Sequence, residues 1–280
     1  MTDSLTPIGT YWYGPKLGPL ERACLISMMG NGHSVTLFSH EKVAHVPKGV
    51  NIQDARDITG KRPILMFRKY ERKKGIISAA LFSDQFRYHM IKQTGWIWLD
   101  LDAYVLKPLR PFDSGYLFSY QSDNHMKKGI IASGVLGLPK HSPTLKDLLS
   151  FTEDEYPIPP FYNLQRRSRF YCWKMLGKPV HISMQPWGTW GPQALTYFLK
   201  KNGESKHALH NRMLFPIALK DADQFFLPRN QVKDMYDDFL KNALSVHIFG
   251  TIIREKVRQG GGWYNIPRDS YLQELISPGL

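Results

Sequence analysis

Apolar residues recur along this chain at a period of two in some stretches and three to four in others, and each change of period marks an element boundary. Residues 8–13 read as a short strand, which Gly14, Pro15, Gly18 and Pro19 break into a loop. Residues 20–29 follow a helical pattern that stops at Gly30-Asn31-Gly32. In 33–39, Val35 and Leu37 alternate with Ser34 and Thr36, the period of a second strand. This strand, helix, strand succession predicts a parallel sheet with crossover helices. A small strand is expected at 50–52. The strongest helix spans 76–93, with apolar Ile77, Ala80, Leu81, Phe86, Met90 and Ile91, and closes at Gly95; a strand at 96–99 follows directly.

Two further strands are expected at 116–120 and 130–138, the second interrupted at Ser133-Gly134, then a helix at 144–151. Residues 153–160 are acidic and proline-rich, and mark an excursion around 151–190 in which Arg166, Arg167 and Arg169 stand beside Phe170, Tyr171 and Trp173. A helix at 193–201 tolerates Pro192 in its first turn. A late strand at 245–249 carries His247, and the tail at 256–267, with Gly260-Gly261-Gly262-Trp263-Tyr264, reads as a mobile loop. The elements describe one α/β domain over 1–280, a length that buries a large core, with a C-terminal lid around 250–267.

Composition adds two constraints. Cys24 and Cys172 are the only cysteines, too few for a disulfide framework or a cysteine metal site, which favours a reducing compartment. Neither a basic-then-apolar leader nor an apolar run of about 18 residues is present, so a cytosolic protein is expected. The net charge of +13 calls for an anionic partner: nucleic acid, an anionic membrane surface, or a polyanionic small substrate such as a nucleotide diphosphate. The cluster Arg68, Lys69, Arg72, Lys73 and Lys74 fits a solvated basic face, and no nucleic-acid module accompanies the arginines near 166, so specific nucleic-acid recognition is not expected.

The chemistry concentrates where the strongest helix meets the strand after it. Asp100 and Asp102 interrupt an apolar run at a spacing of two, which on a strand points both carboxylates to one face. Two adjacent buried negative charges need a cation, or else both must sit in water. Asp84 and Arg87 are three apart on the preceding helix, a pair able to clamp vicinal hydroxyls, or an ordinary surface ion pair. His247 on its apolar strand is a structural histidine or a third ligand. Arg254, Lys256 and Arg258 precede the glycine run and could close over phosphates or lie in solvent. Neither a P-loop nor a dinucleotide-binding glycine fingerprint is present.

Ser83-Asp84-Gln85-Phe86-Arg87-Tyr88, a short spacer, Gly95 and then Asp100-Leu101-Asp102 with Leu106-Lys107-Pro108-Leu109 together resemble the sugar-binding D-x-D region of GT-A fold glycosyltransferases. That group holds α-1,4-galactosyl- and N-acetylglucosaminyltransferases, the initiating α-1,6-mannosyltransferase and the clostridial glucosylating toxins. Weaker matches are Trp12, Gly191-Pro192 with Leu195-Thr196, and Val246-His247-Ile248-Phe249. Trp96 and Trp98 stand where the family usually has a second glycine and a tyrosine.

The resemblance implies a GT-A catalytic domain that moves a hexose from a nucleotide sugar, a UDP-sugar by expectation, to a glycan or lipid-linked acceptor with retention. The surplus positive charge and the lack of an export signal add the expectation of surface polysaccharide or lipopolysaccharide synthesis at the inner face of the membrane. Asp100, Asp102 and His247 would hold Mn²⁺ or Mg²⁺. Asp84 and Arg87 would contact the donor sugar, Trp12 would lie near the base, and Leu101, Arg254, Lys256 and Trp263 would complete the donor site. Gln193 would face the acceptor. Two competing readings are a D-x-D phosphohydrolase, whose motif normally opens its domain, and a basic membrane- or nucleic-acid-binding protein without catalysis.

Overall fold

The computed structural model describes residues 5–67, 78–111, 114–122 and 129–280. The basic cluster Arg68, Lys69, Arg72, Lys73 and Lys74 lies outside the described residues, as does the expected start of the helix at 76. Strand and helix alternate through the N-terminal part: β1 (Ile8–Tyr11), α1 (Pro19–Gly30), β2 (Val35–Ser39), β3 (Asn51–Asp54), α2 (Arg56–Thr59), α3 (Ala80–Thr94) and β4 (Ile97–Leu99). After β4 come β5 (Ala103–Val105), β6 (Val135–Leu136), α4 (Pro143–Thr152), α5 (Leu164–Met175), α6 (Ala194–Lys201), α7 (Asn211–Leu214) and α8 (Arg229–Leu240). β7 (Ser245–His247), α9 (Gly250–Gln259) and α10 (Tyr271–Ile276) complete the chain.

The main sheet runs β3-β2-β1-β4-β6, with β3, β2, β1 and β4 parallel and β6 antiparallel to β4. Strand residues divide between two cores by parity. Val35, Leu37, Ile97, Leu99 and Val135 pack with α1 and α10, whereas Phe38, Trp98 and Leu136 pack with α3, α4 and α6. Both faces of the sheet are therefore covered, as parallel strands require. Each fully buried Leu, Ile or Phe contributes about 1.5–3 kcal/mol. β5 and β7 form a separate antiparallel pair, in which Ala103 faces His247.

Three expectations change. Residues 116–120 and 130–138 make isolated bridges, Leu117 to Gly137 and Tyr120 to Ile131, with only β6 as regular strand. The reason is local: the Ser133 carbonyl accepts from Arg87, and Gly134 pairs with Asp100 one rung beyond Leu99 and Val135, so this stretch turns to β4 and its contact with 116–120 is broken between Ile131 and Gly137. The expected loop from 256 begins as helix, since α9 buries Ile253 and Val257 at a spacing of four and runs to Gln259. Helices α2, α5, α7, α8 and α10 were not anticipated.

Glu204 holds a junction behind the sheet. Its carboxylate accepts from Tyr116 Oη, from Ser142 Oγ at 2.8 Å and from the Thr144 N–H at 3.1 Å, while Ser142 itself caps α4. These hydrogen bonds outweigh the upward push of burial and hold the carboxyl below the usual glutamate range. Its contribution is full above the unfolded-state pKa and is lost as pH falls through the lower folded value. Glu204→Gln should cost about 1–3 kcal/mol at neutral pH. Thermal unfolding followed against pH should show the variant without that part of the wild-type loss on the acid side.

Candidate active site

β1 and β4 are adjacent and parallel, and the chain leaves the sheet in opposite directions from β1 towards β2 and β4, so their carboxyl ends border a topological switch point. Trp12 follows β1 and Asp100 follows β4. Asp100 and Asp102 do converge, but not through the strand pleat. A tight turn closes from the Ala103 N–H to the Asp100 carbonyl at 3.0 Å, and it carries both carboxylates to the same side. The Asp100 N–H donates to the Gly134 carbonyl at 2.8 Å, and the Asp102 carbonyl accepts from the Ile248 N–H at 2.7 Å. The turn is thus fastened to β6 on one side and to β7 on the other.

His247 completes the group. Its Nε2 lies 3.1 Å from Asp102 Oδ1 and 4.0 Å from Asp100 Oδ2, and one donor atom from each of the three residues falls within 4.8 Å of the others. The ring stacks on Phe215 at 5.1 Å. Loss of hydration pushes the His247 pKa down, but the two carboxylates overcome it and carry it to about 10. Loss of hydration pushes Asp102 up, and His247, the Gly250 N–H and Arg254 together hold it well below the usual carboxylate range. Gly250 opens α9, so its N–H, 2.8 Å from Asp102 Oδ2, is one of the unpaired donors at a helix N-terminus. Phe249, in left-handed backbone at φ 56°, makes the bend that brings that N-terminus to Asp102.

Asp84 and Arg87 are not a surface pair: both side chains are buried. Arg87 Nη2 bridges Asp84 Oδ1 at 3.1 Å and Asp100 Oδ1 at 3.3 Å, Nη1 donates to the Ser133 carbonyl at 2.6 Å, and the guanidinium lies 5.0 Å above the Trp98 ring. Trp98 Nε1 donates to Asp100 Oδ1 at 2.8 Å. Arg87 is therefore a strut that aims Asp100, with its hydrogen-bonding capacity largely spent inside the protein. Burial raises the Asp84 carboxyl to about 7, with Arg87 opposing the shift and Asp100 adding to it.

The other expected site residues divide. Trp12 stands at the switch point, and its indole Nε1 is buried with no hydrogen-bond partner among the described residues. Arg254 lies one turn along α9 from Gly250, but its guanidinium pairs with Glu21, whose other oxygen caps α1 through the Gly18 N–H at 2.9 Å. Lys256 is roughly 200° further round the helix and pairs with Asp223 at 2.6 Å, away from the carboxylates. The Leu101 side chain belongs to the core, and Trp263 packs against that same core. Gln193 Nε2 donates to the Trp187 carbonyl at 2.8 Å, two residues beyond Gly191.

Two glycines shape the site, and the sequence pattern flagged both without their reason. A Cβ at Gly134 would sit 3.0 Å from Asp100 Oδ2 and 3.0 Å from His247 Nε2. At Gly191 it would sit 2.7 Å from both Asp84 oxygens. Glu21 was missed altogether, although an acid in the first turn of a helix three residues after Gly18 was a visible capping signal. The space kept by Gly134, bounded by two carboxylates and an imidazole, fits a hard divalent cation that takes oxygen ligands and tolerates one nitrogen. Ligation by Nε2 would leave the ring's one proton on Nδ1, replace the direct Nε2 pairing with Asp102 by a shared cation, and forfeit the weak 3.3 Å contact from the Phe249 N–H. Gly134→Ala should weaken Mn²⁺ binding roughly 10–100-fold. Calorimetric titration with Mn²⁺ checks the affinity, and an unchanged melting temperature without metal checks the fold.

No protein-family model and no curated protein matches the chain. Among solved structures it is similar to PaToxG glycosyltransferase, at 15% identity and a TM-score of 0.43 over 70% of this chain and 69% of that one. It is also similar to mouse xyloside xylosyltransferase 1 in its apo form, at 14% identity and a TM-score of 0.42 over 86% of this chain and 96% of that one. Both bear the names of sugar transferases.

Proposed function

We propose that this protein is a metal-dependent glycosyltransferase that takes a hexose from a nucleotide sugar. The observation that carries the reading is the convergence of Asp100, Asp102 and His247 around the space left by Gly134, at the carboxyl ends of parallel strands and beside the buried Asp84–Arg87 pair. Mn²⁺ or Mg²⁺ held by these three residues would supply a Lewis acid for the negative charge that develops on a departing diphosphate. The chain's own residues prepare the place. Arg87 and Trp98 hold Asp100, the N-terminus of α9 holds Asp102, and Phe215 backs His247. Asp84, with a carboxyl near neutrality, can accept from or donate to a sugar hydroxyl. The unpaired Trp12 indole N–H offers a donor where a base would lie.

The finer reading follows the resemblance in a UDP-sugar donor, a glycan or lipid-linked acceptor, transfer with retention and Gln193 on the acceptor side, and follows the surplus positive charge in assigning the acceptor to a surface polysaccharide. No helix among the described residues is long and apolar enough to cross a membrane. The test is a panel of UDP- and GDP-sugars, read first as Mn²⁺-dependent thermal stabilisation and then as release of nucleoside diphosphate. A ligand at a hundred times its Kd stabilises the native state by about 2.7 kcal/mol. One donor that stabilises and turns over only with metal supports the proposal. Phosphate release from monoesters without sugar transfer would replace it with a phosphohydrolase.

A further inference from the structure

Helix α5 stands within the excursion around 151–190 and buries only Phe170. It is a well-terminated helix. Asn163 caps its start by accepting from the Arg166 N–H at 2.9 Å. The Gly177 and Lys178 N–H groups close its end on the carbonyls of Lys174 and Trp173. Its inner face is held by Phe170 against Tyr162 and by the Arg166 guanidinium 4.2 Å from the Tyr162 ring.

At 100° per residue the face opposite these contacts carries Leu164, Tyr171 and Met175, at i, i+7 and i+11. They are 78%, 52% and 87% exposed, and Leu176, just past the last turn, is 71% exposed. Single exposed apolar residues need no explanation, but the outward stripe of a surface helix is where polar residues are expected. Arg167 and Lys174 flank this stripe on one side; Arg169 lies further round on the other, about 120° from Met175, with its guanidinium 5.4 Å from the Trp173 ring. The surrounding chain is one-signed: from Tyr156 to Gly203 it contains Lys and Arg but no Asp or Glu.

An apolar stripe with cationic shoulders suits a helix lying in the plane of a bilayer surface, with apolar side chains at the acyl boundary and long basic side chains reaching up to the phosphates. Nucleic acid would use the charges and leave the stripe without a role. We propose that the outer face of α5 docks this protein on a membrane rich in anionic lipid, with Leu164, Tyr171 and Met175 inserted and Arg167, Arg169 and Lys174 on the headgroup phosphates. The surface stands apart from the sugar-transfer reading, because it shares no residue with that site and needs neither donor nor metal.

Sedimentation of the full chain with vesicles tests it, using phosphatidylcholine alone and phosphatidylcholine mixed with phosphatidylglycerol. Wild type should bind the mixture and barely bind phosphatidylcholine. Leu164→Ser/Tyr171→Ser/Met175→Ser, which keeps every charge, should lose at least about tenfold in partitioning. Arg169→Gln/Lys174→Gln should lose about fivefold for each charge removed. All the substituted side chains are exposed, so unchanged melting temperatures are expected. Equal binding to both vesicles, no binding, or either variant binding like wild type would overturn the proposal. A concentration-dependent dimer that the triple serine variant abolishes would overturn it too, assigning the face to a second copy of the chain.

Discussion

Asp102→Asn should abolish metal-dependent turnover of the nucleotide sugar, with a fall of about a thousandfold. The amide keeps the shape of the carboxylate and can still accept from the Gly250 N–H, so α9 should stay in place. What disappears is one charged ligand and the partner that carries His247 to about 10. The change also has a signature in the metal-free protein. The raised His247 value contributes stability that is complete below the ordinary histidine pKa and is lost as pH rises through about 10. The depressed Asp102 carboxyl contributes above the ordinary aspartate pKa and loses its share as pH falls through its folded value. The variant should therefore lose most stability between these limits, on the order of 3 kcal/mol. That is the low end for removing one partner of a buried pair, because Asp100 remains 4.0 Å from the ring. Melting temperature against pH without metal, and donor turnover with Mn²⁺, read the two effects separately. Wild-type turnover by the variant in the presence of a chelator would remove the metal from the mechanism.

The second large effect is expected at Arg87. Arg87→Met leaves the Asp84 and Asp100 carboxylates facing each other without a cation and deprives the Ser133 carbonyl of its donor. The expected cost is about 3–5 kcal/mol at neutral pH. Lysine should recover only part of it, since one ammonium cannot reproduce the planar fork that reaches Asp84, Asp100 and the Ser133 and Ser83 carbonyls together. The pH dependence has the opposite sign to that of Asp102. Asp84 already titrates near 7, so the folded state holds a proton that the unfolded chain has released, and stability falls as pH rises from about 4 towards 7. Removing Arg87 should push that titration higher and extend the loss to more alkaline pH. Denaturant unfolding at several pH values checks this, and a variant as stable as wild type at pH 8 would contradict the strut assigned to Arg87.

Much of this site could be read in the sequence because its parts lie on elements with clear periods. β1, β2 and the helix leading to β4 showed their alternation and their glycine stops, and they place Trp12, Asp84, Arg87 and Asp100 correctly along the chain. The geometry between them was harder to read. A spacing of two suggested one face of a strand, yet Asp100 and Asp102 meet through a turn closed by the Ala103 N–H and fastened by hydrogen bonds to the Gly134 carbonyl and from the Ile248 N–H. Arg254 and Lys256 looked equivalent as basic residues before a glycine run. Once α9 forms, the helical rotation sends one to Glu21 and the other to Asp223. Helix α5 escaped notice for a physical reason: Leu164, Tyr171 and Met175 lie on one side and Phe170 and Trp173 on the other, so its apolar residues mark no single face. The caps at Asn163 and Gly177 were the legible signal there.

The turn that carries Asp100 and Asp102 joins the main sheet to the small β5–β7 pair, and its third partner, His247, arrives after about half the chain has intervened. An ion gripped by all three residues would act as a reversible cross-link across a very long loop. Closing such a loop costs conformational entropy that grows only slowly with its length, so a single metal site can restrain the entire C-terminal portion for little more than it would take to restrain a short segment. Ion occupancy and the opening of α9 and β7 would then be one equilibrium seen from two ends, in which losing the ion loosens the same elements that hold Asp102 in position.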